Sequence, residues 1–200
     1  MALKFANNNS LSAITTKPSG LSGGALNLIS TQTASSSATI DFTSNIDDTY
    51  DEYVFKFYNI HPATDQVQFK AGFRDGGSSY DATKTTTAFR AYHDEAGSTQ
   101  AVAYVAGSDL AQSTAVQDIS SNLGSDADQC CAGYLHLFNP SSTTFVKHFI
   151  IRTNTTHASD YTNEWHIAGY CNTTTAIDGV QFKMSSGDIS TGDICLYGIN

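Results

Sequence analysis

The chain has 200 residues, of which 40% are hydrophobic and only 14% charged, with a formal net charge of −9. That length supports one sizeable core or two small ones. The acidity repels polyanions and excludes nucleic acid as a direct partner, and solubility alone accounts for much of it. No stretch reaches the roughly 20 apolar residues of a membrane span. The opening residues lack the apolar run of a signal peptide, which predicts a product made in a cytoplasm and not exported by that route.

The polar complement is mostly Ser, Thr, Asn and Gly, which suits strands and turns better than helices. Residues 1–24 follow neither the helical nor the strand period. "NNNS" and "KPSGLSGG" are loop chemistry. Leu3, Phe5, Leu11, Ile14 and Leu21 are scattered apolar anchors, so the segment reads as an extended N-terminal arm that docks on a partner.

From Ala25 onward the period is two, and residues 25–200 read as one β-domain. Ile40 and Phe42 share a face in "ATIDFT". In "EYVFKFYN", Tyr53, Phe55 and Phe57 alternate with Val54, Lys56 and Tyr58. In "QVQFKAGFR", Val67, Phe69, Ala71 and Phe73 oppose Gln66, Gln68, Lys70 and Arg74. This alternation marks strands with one buried face, and "RDGGSSYD" supplies a turn.

The stretch from Thr85 to Asn122 is ambiguous. "TTAFRAYHDEAG" fits a strand or one short helix, "QAVAYVAG" a strand, and "SDLAQSTAVQDISSNLG" a loop with a weak helical pattern. Beyond it, "GYLHLFN" and "FVKHFIIRT" flank the turn "PSST" and read as a hairpin. Trp165 and Ile167 share one face, as do Val180, Phe182 and Met184, and then Ile194, Leu196 and Gly198. The two arms of "VQFKMSSGDISTGDICLYGI" are expected to pair as a hairpin, with the closing strand integral to a sheet. Eight to ten strands without a long helix predict an all-β, jelly-roll-like antiparallel β-sandwich.

Chemistry is sparse. His61, His93, His136, His148, His157 and His166 show neither H-x-H nor H-E-x-x-H spacing. Asp47, Asp48, Asp51 and Glu52 do not follow the calcium-loop pattern and read as an acidic turn. No nucleophile elbow or phosphate-binding loop occurs. Cys130, Cys131, Cys171 and Cys195 form no C-x-x-C pair. Cys171 and Cys195 read as buried thiols, and a bridge from either to the adjacent pair is the lesser alternative. The sequons at Asn8, Asn154 and Asn172 are incidental without export. No catalytic, metal or cofactor residue is therefore assigned.

The stretches "SLSAITTKPSGLSGGALNLISTQTASSSATIDFTSNID", "DEYVFKFYNIHPATD", "FRDGGSSYDATKTTTAFRAYHDE" and "LFNPSSTTFVKHFI", with the ending "VQFKMSSGDISTGDICLYGI", carry a resemblance. The chain resembles small structural proteins of tailed bacteriophages, especially marine phages that infect cyanobacteria. The resemblance implies a non-enzymatic virion component without a cofactor. It implies a capsid decoration, or cement, protein that bridges capsomers, or a tail-fibre or adhesin tip that binds a host receptor. The absence of heptads and repeats favours decoration. The expected partners are further copies of the chain, as a homotrimer, and the major capsid protein or another virion protein. A third reading, a carbohydrate-binding or carbohydrate-processing jelly roll, requires paired carboxylates or an exposed Trp, and the only Trp is Trp165.

Overall fold

A computed structural model describes residues 25–199. The predicted arm, with Leu3, Phe5, Leu11, Ile14 and Leu21, lies outside the described residues. Among the described residues there are twelve strands and no helix. In chain order they are β1 (Asn27–Ser37), β2 (Ile40–Phe42), β3 (Glu52–Pro62), β4 (Phe69–Arg74), β5 (Lys84–Asp94) and β6 (Gln100–Tyr104), followed by β7 (Gln117–Asp118), β8 (Cys131–Phe138), β9 (Lys147–His157), β10 (Tyr161–Cys171), β11 (Gly179–Met184) and β12 (Ile189–Ile199).

All pairings between these strands are antiparallel. One sheet has eight strands, in the order β1-β12-β3-β8-β9-β10-β5-β6, and the other four, in the order β2-β11-β4-β7. The two sheets pack as an all-β antiparallel sandwich. β1, β2, β3, β4, β7, β8, β11 and β12 cross between the layers in a pattern consistent with a jelly roll. The other four strands, β5, β6, β9 and β10, all join the larger sheet and widen it on one side.

Strand burial follows the period. β9 alternates strictly, with Phe149, Ile151, Thr153 and Thr155 buried and His148, Ile150, Arg152 and Asn154 exposed. The buried faces meet in an aromatic core. Phe182 from the small sheet packs on Phe55 and Phe57 at centroid distances of 5.4 and 5.1 Å, and Phe73 stacks on Phe149 at 4.6 Å. Such pairs add about 0.5–1.5 kcal/mol each beyond area burial. The inner face of β5 and β10 is covered by the irregular chain around β7. Thr86 Oγ1 donates to Gln117 Oε1 at 2.8 Å, and Arg90 Nη1 to Ser121 Oγ at 3.3 Å.

Two sequence expectations need correction. β11 and β12 do not form a hairpin, because β11 pairs with β2 and β4 while β12 pairs with β1 and β3. The turn-rich segment between them crosses from one layer to the other. The closing strand is nevertheless integral, with Ile194 and Leu196 buried. An added methyl on Gly198 would overlap the Tyr50 ring, so this position needs glycine for close approach. The helical alternative for residues 86–97 also fails, since β5 is an 11-residue strand. The strand count exceeds the expected eight to ten because β1 is largely polar and β7 is only two residues long, so neither shows an apolar period.

Candidate interaction face

The two outer faces of the sandwich differ in chemistry. On the four-stranded sheet, polar groups are paired in the manner of a solvated surface. Lys70 Nζ lies 2.8 Å from Asp118 Oδ1, Arg74 Nε lies 2.7 Å from Asp178 Oδ1, and Gln181 Nε2 donates to Asp41 Oδ1 at 2.7 Å.

The outer face of the eight-stranded sheet is aromatic. One row, set by register, runs Tyr104, Phe89, His166, Arg152, Tyr134 and Lys56 from β6 to β3. The next runs Thr87, Ala168, Ile150, His136, Val54 and Tyr197 from β5 to β12. Phe89 is 43% exposed, Ile150 48% and Tyr104 58%. Phe89 stacks flat on His166, with centroids 4.8 Å apart and planes 4° apart. Tyr134 meets His136 edge-on at 4.9 Å. A groove of about 410 Å³ opens over Ala168, walled by Phe138, His148, Ile150 and Tyr170.

Much of the charge on this face is paired. Arg152 pairs with Glu164, which also lies 3.4 Å from His166 Nε2, and Glu52 pairs with His136. The hydrogen bond to Glu164 raises the Arg152 guanidinium above its ordinary value. A broad, nearly neutral, aromatic surface on an acidic body is suited to burial against another protein.

No family model matches this chain. No curated protein and no solved structure matches it either. The residues themselves carry the functional argument.

The structure brings His136, His148 and His166 to this one face, where they pack against rings and carboxylates. Among the described residues, no group of three His, Cys, Asp or Glu side chains is placed to hold a metal. The acidic run divides by role. Asp47 braces its turn by accepting from Thr49 N at 2.9 Å and Tyr53 Oη at 3.0 Å, and the Thr49 hydroxyl is the main cause of its lowered pKa. Glu52 turns outward to His136. All four cysteines are free, with Cys131, Cys171 and Cys195 buried. Trp165 is only 1% exposed, so it offers no sugar platform. Sequence reasoning missed Phe89, Ile150 and Tyr104. Their signal was the apolar residue at alternate positions on strands whose other face was already filled.

Proposed function

We propose that this chain is a non-enzymatic virion structural protein, a capsid decoration component that assembles through the outer face of its eight-stranded sheet. The observation that carries this is the contrast between the two outer faces: paired charge on one, exposed Phe89, Ile150 and Tyr104 on the other. The first occupant of the aromatic face is a second copy of the chain. Copies of a body with net charge −9 repel one another, and they meet at least cost where much of the charge is paired. The phage setting and the capsid protein as second partner rest on the sequence resemblance. The acidic balance supports protein partners over nucleic acid.

A photoreactive phenylalanine analogue at position 89 tests the face. The account expects covalent dimers or higher species from position 89 and none from position 181 on the opposite face. Equal crosslinking from both positions would remove the support for this surface.

A second reading, a receptor-binding tip, is favoured by a separate polar pocket at the far end of β5 and β10.

A further inference from the structure

Behind the aromatic face, on the inner side of the larger sheet, a pocket of about 210 Å³ lies beside the covering chain, where Ser121 bonds Arg90 and Asn163 and Leu123 bridges to His157. It is lined by Arg90, Tyr92, Thr99, His157, Tyr161 and Asn163. Arg90 and Tyr92 come from β5, Asn163 and Tyr161 from β10, and His157 from β9. Three strands thus present their inward-facing side chains to one hollow.

Its polar groups are incompletely used. Asn163 is fully buried, yet only one end of its amide is engaged, with Nδ2 donating to Ser121 Oγ at 3.3 Å while Oδ1 has no partner. Turning the amide over would merely exchange which end is left. Arg90 donates through Nη1 to the same Ser121 hydroxyl, and its Nε is buried without a partner. No carboxylate lies within ion-pair distance of Arg90 among the described residues. Buried polar groups in native proteins are ordinarily satisfied, and an unmet donor and an unmet acceptor on two residues that line one hollow call for a ligand or water that supplies both.

The walls are aromatic. The Arg90 guanidinium lies over the Tyr92 ring at 5.0 Å, Tyr92 meets Tyr161 edge-on at 6.0 Å, and His157 meets Tyr161 at 5.2 Å. Burial, and then the nearby Arg90 charge, lower the His157 pKa, so its ring is neutral near pH 7. Arg90 is therefore the one charged group among the lining residues. The hollow is smaller than the roughly 300–1,000 Å³ of drug-sized sites, which limits the occupant to about one ring.

We infer that this pocket binds a single carboxylate-bearing sugar residue, with the carboxylate on Arg90, ring hydroxyls on Asn163, and the apolar ring face against Tyr92 and Tyr161. A guanidinium with a free edge matches a carboxylate in two-point geometry. Hydroxyl groups both donate and accept, as the unmet atoms require. This site lies on the opposite side of β5 and β10 from Phe89 and His166 and does not depend on the assembly reading.

The test is an NMR titration of the full chain with sodium glucuronate, glucose and inorganic phosphate. Saturable shifts at His157, Tyr161 and Asn163 with glucuronate in the millimolar range, at least tenfold weaker with glucose and with Arg90→Gln, are expected. No saturable shift with glucuronate would overturn the proposal and leave a water-filled hollow. Equal affinity for glucose, or tighter binding of phosphate, would overturn the assignment of the ligand class. Should Arg90→Gln fail to fold, the preference of the native chain for glucuronate over glucose decides alone.

Discussion

Lys84 stands directly opposite Cys171 across the β5–β10 pairing, and both side chains are fully buried. Lys147 stands opposite the same cysteine from β9 and is buried as well. Each ammonium has a carbonyl: Lys84 Nζ donates to Ala115 O at 2.7 Å and Lys147 Nζ to Thr173 O at 3.1 Å. Burial lowers the pKa of both lysines and pushes the Cys171 thiol up to about 12. The thiol therefore stays protonated at neutral pH and provides no counter-charge.

A buried charge without a carboxylate is costly, and an apolar group of similar volume removes that cost. Lys84→Met should change stability by less than about 1 kcal/mol or raise it, since the loss of one carbonyl bond offsets the relief of desolvation. Lys84→Ala should cost about 2–4 kcal/mol through the cavity it leaves. Denaturant unfolding of the two variants separates these outcomes. Equal losses would show that the ammonium itself is required.

Alkaline pH should destabilise the fold. Cys171 and Tyr53 have ordinary values of 9.0 and 10.0, and burial raises both to about 12. For a group raised on folding, the contribution is complete below the unfolded value and is lost as pH rises through the folded one. Stability from these two should therefore fall between about pH 9 and 12. The buried lysines oppose this trend, because relief of their charge favours the folded state as pH approaches their ordinary value. Cys171→Ala should flatten the fall, as followed by melting temperature at stepped pH. An unchanged slope would rule out the thiol as a contributor.

Asp94 ties the β5–β6 turn by accepting from Ser98 N and Thr99 N, both at 2.8 Å. The Ser98 hydroxyl is the main cause of its lowered pKa, below the ordinary 3.8. A lowered carboxyl stabilises above its unfolded value and loses that contribution as pH falls through the folded one. The hairpin should loosen below about pH 3.8, and Asp94→Asn should remove that part of the acid dependence. NMR shifts of Ser98 and Thr99 report it. Identical acid profiles with and without the carboxylate would contradict this role.

Gly198→Ala should cost about 1–3 kcal/mol by forcing Tyr50 aside. Leu196→Asp should cost several kcal/mol, enough to threaten a domain of ordinary stability. A double-mutant cycle of Gly198→Ala with Tyr50→Ala checks the first, and strong coupling is expected. Additive effects would mean that the ring does not set the cost.

The core strands were legible in the sequence because one face is apolar and the other wet, as in β4, β9 and β10. β5 was not, since its inward positions include Lys84, Thr86, Arg90 and Asp94, which hide the period. Their polarity follows from facing an irregular chain with backbone groups to satisfy, rather than the apolar side of a sheet. The false β11–β12 hairpin has a different cause. Periodicity gives the face of a strand but not its sheet, and four residues between two strands serve a layer crossing as well as a turn. The interaction face was legible only as single residues. His136 and His166 were visible as strand positions, but their place beside Phe89 and Ile150 depends on pairings across long sequence separations.

The central claim is that the aromatic outer face of the eight-stranded sheet is buried by a second copy. Sedimentation velocity of the full chain at micromolar concentration tests it most directly, alongside Phe89→Glu and Ile150→Glu, which alter exposed positions. The account predicts a discrete oligomer for the native chain, a face-to-face dimer or the trimer expected from the sequence, and a 21.4 kDa monomer with an unchanged melting temperature for each variant. A native chain that sediments as a stable 21.4 kDa monomer would contradict it.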